Sequence, residues 1–289
     1  MFGAIEAGGT KFVCAVSDEK LEIIEKVSIP TETPDVTMAA VFGFFDQYEL
    51  KSMGVGSFGP IDVNEKSDTY GYITSTPKIK WQNYNFLGAL KTRYGVPIAW
   101  TTDVNAAAYG ELTYGAGKGK QSCIYLTIGT GVGGGGVVNG QLLQGFGHPE
   151  MGHIRVTRLE GDTFSGVCPY HGDCVEGLVS GPALEKRTGQ KGQTLAEDDP
   201  VWKIQANYIA QALMNYTLVL SPEAIILGGG VMQQAHLFSL IHEEFEKVIN
   251  GYVSYPELDK YILPTGLGSN SGIIGCLQLA KEKLESLSN

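Results

Sequence analysis

Two stretches of the sequence follow the same plan: FGAIEAGGTKFVCAVS at residues 2–17 and SCIYLTIGTGVGGGGVVNGQLL at residues 122–143. In each, a run of apolar and β-branched residues leads through a short glycine and threonine segment into a second such run. The apolar runs predict strands, and the glycines predict the tight turn that joins them. We therefore expect a β-hairpin near the start of each half of the chain, an internal echo at the scale of a supersecondary unit.

The rest of the chain alternates between strand and helix patterns. Predicted strands cover residues 21–29, 97–104 and 223–231, the last of them ending in glycines, and residues 51–63 read as a strand followed by a Pro/Gly loop. Predicted helices cover 34–50, 86–95, 201–220 and 271–287, and residues 105–117 begin as a helix and run into a glycine-rich boundary. Strands interleaved with helices in both halves indicate an α/β architecture. A chain of 289 residues favours two domains, with a boundary near Gly110 to Gly119. We expect domains at 1–115 and 116–271, with the terminal helix 272–289 joining the first.

Residues 69–86, TYGYITSTPKIKWQNYNF, are aromatic, polar and rich in turn residues. This composition predicts a surface binding loop rather than a core element. Trp81 and Tyr84 in this loop are expected to influence which ligand is bound.

Composition excludes several classes of function. A formal net charge of −10 argues against non-specific binding to nucleic acid or to anionic membranes, both of which need a basic face. The chain contains no apolar run long enough to span a bilayer. Its N-terminus lacks the basic flank and apolar stretch of a signal peptide, which predicts a cytoplasmic protein. Five unevenly spaced cysteines do not suggest a disulfide framework.

Three glycine motifs resemble nucleotide-binding signatures, but none of them meets the requirements of its signature. Gly54 to Gly59 and Gly129 to Gly134 both match G-x-G-x-x-G, but this fingerprint works by opening a helix onto the pyrophosphate. Pro60-Ile61-Asp62 follows the first motif and a strand-like Gly-Gly-Val-Val follows the second, so neither opens a helix. Gly3 to Lys11 fails as a Walker loop because Gly9 and Thr10 precede the lysine.

The two hairpin turns are better candidates for phosphate binding. They comprise Gly8, Gly9 and Thr10 in the first half and Gly129, Thr130 and Gly131 in the second. Backbone N–H groups of a glycine turn approach phosphate oxygens closely, and a threonine hydroxyl adds a donor. Either turn alone is most simply a tight turn. Their paired occurrence favours a grip on a triphosphate from both sides.

Five motifs in order then resemble one family. They are EAGGTK at 6–11, TDVNAAAYGE at 102–111, LTIGTGVGGG at 126–135, EMGH at 150–153 and CPYHGDC at 168–174. Together they resemble the ROK sugar kinases, and most of all the bacterial fructokinases of that group. The resemblance implies an actin-like, ribonuclease H-like pair of α/β domains, with ATP and sugar in the cleft between them, in a homodimer. ROK repressors carry a DNA-binding helix-turn-helix before the first phosphate turn; here that turn falls within the first dozen residues, so we expect no such part.

The resemblance makes Asp103 the catalytic base. Phosphoryl transfer needs a base within hydrogen-bond reach of the attacking hydroxyl and little other covalent chemistry. The alternative is that Asp103 only caps the helix that follows. Asn105 is expected to hold the sugar or the base, and Thr102 stands where relatives often have asparagine.

Further site residues follow from the same resemblance. Glu6 is a candidate to hold Mg²⁺ through water, with an ordinary strand glutamate as the alternative. Lys11 is expected to contact phosphate or to be a solvated hairpin lysine. Gly228 and Gly229 would contact adenosine, and Glu150 and Glu176 would accept hydrogen bonds from sugar hydroxyls, a task that suits two-oxygen carboxylates.

A cluster of cysteine and histidine predicts a metal site. Cys168, His171 and Cys174, with His153 upstream, offer four ligands of the kind that form a closed tetrahedral Zn²⁺ site. A closed site leaves no position for substrate, so the zinc would be structural, tying this loop to the sugar-contacting turn at His153. The alternative is two free thiols and a surface histidine. His148 is a spare ligand candidate, and Cys14, Cys123 and Cys276 are expected in the core.

The sequence therefore predicts an ATP- and Mg²⁺-dependent kinase for a hexose, with fructose and fructose 6-phosphate as the expected substrate and product. Mannose, glucose and acylated hexosamines present most of the same hydroxyls and remain open. The rivals from other classes are a non-catalytic sugar sensor of the same fold and, more distantly, a nicotinamide-dependent oxidoreductase.

Overall fold

The computed structural model describes residues 1–287, which form two compact units. The first unit comprises residues 1–115, residues 142–149 and the described residues from Leu267 onward. The second unit comprises residues 116–141 and 150–266.

The first unit is built on a five-stranded sheet. Its elements up to residue 115 are β1 (Phe2–Ala7), β2 (Lys11–Ser17), β3 (Ile23–Pro30), α1 (Pro34–Phe45), β4 (Ser52–Ser57), β5 (Tyr72–Ile73), β6 (Tyr84–Asn85), α2 (Phe86–Tyr94), β7 (Ile98–Thr102) and α3 (Asp103–Tyr114). The sheet order is β3-β2-β1-β4-β7. β1 pairs antiparallel with β2, and β4 runs parallel to both β1 and β7, so Ala7, Ser57 and Thr102 end at the same edge.

The second unit repeats this arrangement. Its elements are β8 (Cys123–Ile128), β9 (Val132–Val138), β10 (Gln141–Leu142), α4 (Val175–Val179), α5 (Gly181–Thr188), α6 (Val201–Leu220), β11 (Ala224–Gly228), α7 (His236–Ile249), α8 (Leu258–Tyr261) and β12 (Ile262–Pro264). The sheet order is β10-β9-β8-β11-β12. β8 pairs antiparallel with β9 and parallel with β11. The predicted echo of one hairpin by the other is confirmed.

The last helix, α9 (Ser271–Glu285), belongs to the first unit and packs against α3. The two helices cross at glycines: a Cβ on Gly110 would overlap the Ser271 carbonyl oxygen, and a Cβ on Gly275 would overlap the Ala106 carbonyl oxygen. The buried carboxylate of Glu111 on α3 accepts hydrogen bonds from the Ser271 hydroxyl at 2.7 Å and from the Leu267 N–H at 3.0 Å. These contacts fix the N-terminus of α9 beside the helix that begins at Asp103.

Both G-x-G-x-x-G matches lie outside helix starts, as the sequence predicted. Gly54 and Gly56 lie inside β4, and Gly129 to Gly134 spans the turn from β8 into β9. Among residues 1–287, no helix is both long and apolar enough to cross a membrane.

The prediction that residues 69–86 form a surface loop is wrong for Trp81. This side chain is 1% exposed and packs with Phe12, Phe58 and Phe86, with ring centroids 5.2 to 6.0 Å apart. Its indole N–H donates to the Glu32 carbonyl at 2.9 Å. β5 and β6 pair on either side, so the segment forms a small antiparallel ribbon whose aromatic rings fill the core.

The compact units differ from the predicted domain limits in two places. Residues 142–149 group with the first unit, where the Gln144 side chain donates to the Val63 carbonyl at 3.0 Å and His148 Nε2 accepts from the Ile61 N–H at 3.0 Å. The terminal segment joins the first unit from Leu267 rather than from 272, because Glu111 holds the Leu267 N–H. The predicted helix 272–289 is described to residue 287, and residues 288–289 lie outside the described part.

Candidate functional site

Asp103 is the first residue of α3, directly after the last residue of β7. The helix is capped by Thr102, whose backbone is extended, with φ −76° and ψ 156°. Its Oγ1 accepts a hydrogen bond from the Asn105 N–H at 3.1 Å. The interpretation of Asp103 as the cap is therefore wrong. Asp103 Oδ1 accepts from the Val104 N–H at 2.9 Å, and the side chain is half-buried.

Asn105 lies two residues after Asp103 in α3 and is buried, with 2% of its surface exposed. Its side-chain amide donates to Thr101 Oγ1 at 3.2 Å, which ties the first turn of the helix to the end of β7. In the structure, Asn105 therefore contacts the strand end that leads into Asp103.

The Glu6 carboxylate lies at the N-terminus of α9. It accepts a hydrogen bond from the backbone of Ile273, and a Cβ on Gly272 would lie 2.7 Å from Glu6 Oε2. Burial is the main cause that raises the Glu6 pKa to about 7, the negative charge of Asp103 adds to it, and Lys11 and Lys26 oppose it. Oε2 is buried without a hydrogen-bond partner in the described chain. An orphaned carboxylate oxygen near a second carboxylate fits a hydrated Mg²⁺.

The first hairpin turn carries Gly8, Gly9 and Thr10 between β1 and β2. The Gly8 N–H donates to the Lys11 carbonyl at 3.0 Å, and Thr31 Oγ1 donates to the Gly8 carbonyl at 2.8 Å. Thr10 and Lys11 are exposed. These two hydrogen bonds therefore fix the backbone of the turn at Gly8, while Thr10 and Lys11 face solvent.

The second hairpin turn, Gly129 to Gly131, is held by three neighbouring elements. Glu176 Oε2 accepts from the Val132 N–H at 3.0 Å, and the Gly181 N–H at the start of α5 donates to the Gly129 carbonyl at 2.7 Å. Gly229, after β11, has φ +92°, and a Cβ there would lie 2.5 Å from the Ile128 carbonyl oxygen. Glycine is required at 229 because the chain comes this close to the end of β8.

A cavity of about 370 Å³ adjoins this second turn. Gly129 and Thr130 form one part of its wall, and α5, the segment around Gly192, Trp202 and residues 230–234 form the rest. The Trp202 indole N–H donates to the Ala196 carbonyl at 2.9 Å, which fixes the ring. The sequence pointed to this region through the turn at Gly129 to Gly131 and through Gly228 and Gly229. The contribution of α5 was missed, although Ser180-Gly181-Pro182 is a recognisable helix start.

His153, Cys168, His171 and Cys174 come together in the second unit. Their candidate ligand atoms all lie within 4.8 Å of one another. Cys168 Sγ lies 3.7 Å from Nδ1 of each histidine, and Cys174 Sγ lies 3.5 Å from His153 Nδ1. In a tetrahedral zinc site with two sulfur and two nitrogen ligands, neighbouring ligand atoms are about 3.4–3.8 Å apart. The donor set and these spacings fit Zn²⁺.

The remaining cysteines and His148 take other places. Cys14, Cys123 and Cys276 are buried, as predicted, and burial raises the pKa of the Cys14 thiol well above its usual value. His148 is not in the cysteine cluster; it belongs to the first unit, where it receives the Ile61 N–H.

Glu150 and Glu176 flank the cysteine and histidine cluster in sequence. Partial burial is the first cause that raises the pKa of Glu150, and the charge of Glu176 adds to it while His153 opposes it. Glu150 begins the turn in which its carbonyl accepts the His153 N–H at 3.1 Å. The structure thus brings Glu150, His153 and Glu176 within electrostatic range of one another.

Comparison with known proteins shows which family this chain belongs to. The model of the ROK family matches residues 2–283. The chain belongs to the ROK family. It is 52% identical to a putative fructokinase of Bacillus subtilis (strain 168), with 99% of this chain and 97% of that protein covered. It is 51% identical to a fructokinase of Pediococcus pentosaceus, with 99% of each covered.

Solved structures of ROK sugar kinases share the fold of this chain. The ROK hexokinase from Thermus thermophilus superposes with a TM-score of 0.83 at 26% identity, covering 99% of both chains. A ROK family glucokinase from Streptomyces griseus, in complex with glucose and AMPPNP, gives a TM-score of 0.75 at 27% identity and covers 97% of this chain and 98% of that one. The expected actin-like, ribonuclease H-like kinase fold is confirmed.

Proposed function

We propose that this ROK protein is a fructokinase, which transfers the γ-phosphoryl group of ATP to the 6-hydroxyl of fructose. The observation that carries the proposal is the 51% identity to a fructokinase over 99% of both chains. The glucokinase that binds glucose and AMPPNP supports ATP as the phosphoryl donor in this fold.

Asp103 acts as the general base. As the sugar oxygen bonds to the γ-phosphorus and the bond to the ADP oxygen breaks, the Asp103 carboxylate takes the hydroxyl proton. The position at the first turn of α3 supports this role, since the carboxylate is half-buried and Thr102 rather than Asp103 caps the helix. Asn105, Glu150, His153 and Glu176 are proposed to hold the hexose through its other hydroxyls.

The nucleotide is proposed to bind at the second turn and its cavity. Thr130 and Gly131 would receive phosphate oxygens, and Gly228 and Gly229 would let the chain approach adenosine. The first turn, with Gly8, Gly9, Thr10 and Lys11, would bind phosphate as well. Magnesium, when bound, neutralises charge on the transferred phosphoryl group. Glu6 would hold that ion through water, which its orphaned Oε2 supports.

We propose a structural zinc ion at His153, Cys168, His171 and Cys174. Four ligands fill a tetrahedral site, so the metal takes no part in the reaction. Its effect is to tie the 168–174 loop to the turn that carries Glu150. Free thiols persist most readily in a reducing compartment, and five free cysteines support the proposal of a cytoplasmic location. From the family resemblance we propose a homodimer, which the molar mass in solution would test.

A coupled assay of ADP release over a panel of hexoses tests the function. We expect fructose to give the highest kcat/KM, ahead of mannose, glucose and acylated hexosamines. A clear preference for another hexose would contradict fructose as the substrate. Failure to consume ATP with every hexose would contradict the kinase proposal and favour a sugar-sensing protein.

A further inference from the structure

The cavity beside the second turn contains a carboxylate that the proposed mechanism does not use. Glu185 lies on α5 and lines this cavity. The Glu185 side chain is exposed, and within residues 1–287 its carboxylate forms no hydrogen bond or ion pair; its backbone carbonyl accepts the Gly189 N–H at 2.7 Å. A charged acceptor with no protein partner, in the wall of a ligand-sized cavity, is available to a ligand that carries hydroxyl donors.

The position of Glu185 along the cavity follows from the docking of α5. The helix begins at the phosphate turn, where the Gly181 N–H donates to the Gly129 carbonyl at 2.7 Å. Glu185 is four residues further on, about 6 Å along the helix axis. Helical side chains lean back toward the N-terminus, so this carboxylate is directed toward the turn before it. The offset of about 6 Å between Gly181 and Glu185 is comparable to the length of one sugar unit.

The cavity also has an apolar lining. Leu184, Trp202 and Val231 line the cavity and are buried, and Gly192 packs against Leu184 and Trp202. An apolar surface with a fixed aromatic ring suits a nucleobase, whereas a carboxylate next to the phosphate turn suits the ribose that separates base from phosphates.

We propose that Glu185 accepts hydrogen bonds from the 2′- and 3′-hydroxyls of the nucleotide ribose, and so makes the protein selective for ribonucleotides. The inference rests on the proposed use of a nucleotide. Because a carboxylate has two oxygens, it receives both hydroxyls of a ribose and loses one bond when either hydroxyl is missing. A hydrogen bond to a charged group corresponds to roughly a tenfold difference in affinity or more.

Calorimetric binding of ADP, 2′-deoxy-ADP and 3′-deoxy-ADP, each with magnesium, tests the inference on the full chain. Wild-type protein should bind ADP about tenfold tighter than either deoxynucleotide. Glu185→Ala removes both bonds, so it should weaken ADP by about a hundredfold and each deoxynucleotide, which keeps one of the bonds in the wild-type protein, by about tenfold, until all three bind equally. Glu197→Ala is the matched control, because Glu197 is an exposed carboxylate of the same unit outside the cavity lining, and it should retain the wild-type preference.

Equal affinities of the wild-type protein for ADP and both deoxynucleotides would overturn the inference. An equal loss of affinity for all three in Glu185→Ala would also overturn it, because the residue would then act on the cavity and not on the hydroxyls. Different outcomes would contradict the proposed kinase function and the role of Glu185. Ribose selection without phosphorylation of any hexose would contradict the kinase alone, and fructose phosphorylation at equal rates with ATP and 2′-deoxy-ATP would contradict the role of Glu185 alone.

Discussion

At the start of α3, two neighbouring side chains have separate tasks. The Thr102 hydroxyl caps the helix, and the Asp103 carboxylate occupies its first turn. The N-terminus of a helix stabilises negative charge, so this position suits a carboxylate. If aspartate were the capping residue, one of its carboxylate oxygens would accept the Asn105 N–H. Here the Thr102 hydroxyl accepts that N–H instead.

Glu6 gives a prediction on pH. Its pKa rises from 4.5 to about 7 in the folded chain. The folded state therefore binds more protons than the unfolded state between these values, and stability falls as the pH rises through this range. A shift of this size corresponds to about 3 kcal/mol. In the absence of divalent cations and nucleotide, Glu6→Gln should abolish most of this loss between pH 5 and pH 8, as measured by the free energy of unfolding in urea.

The matched control for Glu6 is Glu22→Gln, which removes the same charge from an exposed position in the same unit. This variant should keep the wild-type slope of stability against pH. If Glu6→Gln keeps that slope as well, the pH dependence does not come from Glu6.

At the scale of elements, the 168–174 loop depends on the proposed zinc ion. Cys174→Ser removes one of four ligands and should reduce the bound zinc from about one equivalent per chain to well below half. The melting temperature should fall by on the order of 5 °C or more, since the three remaining ligands lose their shared partner. Metal analysis and thermal unfolding check both effects.

Cys14→Ala is the control for this substitution, because Cys14 is a buried cysteine of the first unit, outside the cluster. It should retain the metal. Wild-type protein that is purified free of metal and melts at the same temperature as the metal-loaded protein would rule out a structural role for zinc.

The crossing of α3 and α9 gives a prediction on packing. Gly275→Ala would place a methyl group on the Ala106 carbonyl oxygen, so the helices must separate. We expect a loss of roughly 2 kcal/mol or more in the free energy of unfolding, in the upper range for overpacked sites. In Gly43→Ala, the control inside α1, the new methyl meets no atom within 4 Å, and this variant should gain about 0.5–1 kcal/mol. Equal stability of the two variants would contradict the close crossing.

Local patterns predicted the elements well where periodicity and glycine turns agreed. The helix predicted at 201–220 and the hairpins around Gly8 to Thr10 and Gly129 to Gly131 are confirmed. The prediction for Trp81 was wrong because the polar and turn residues around it resemble a loop, while its burial depends on rings from Phe12 and Phe58 that are remote in sequence. Long-range packing of this kind leaves no local pattern.

At the scale of the whole chain, order of motifs was more informative than any single residue. The five ordered motifs predicted the family, and the family model matches residues 2–283. The grouping of residues 142–149 with the first unit was not predictable, because it depends on individual contacts from Gln144 and His148. The α5 wall of the cavity was missed for the same reason: its place beside the turn depends on the Gly181 N–H and the Gly129 carbonyl.

The central claim, that Asp103 is the base of a fructose kinase, is tested most directly by Asp103→Asn. Fructose phosphorylation should fall in kcat by roughly 10²–10⁴-fold, the contribution of a positioned general base. Fructose binding measured by calorimetry, and the melting temperature, should remain close to those of the wild-type protein. Asp68→Asn, an exposed position in the same unit, should leave all three values unchanged. An Asp103→Asn protein that phosphorylates fructose at the wild-type rate would contradict the account.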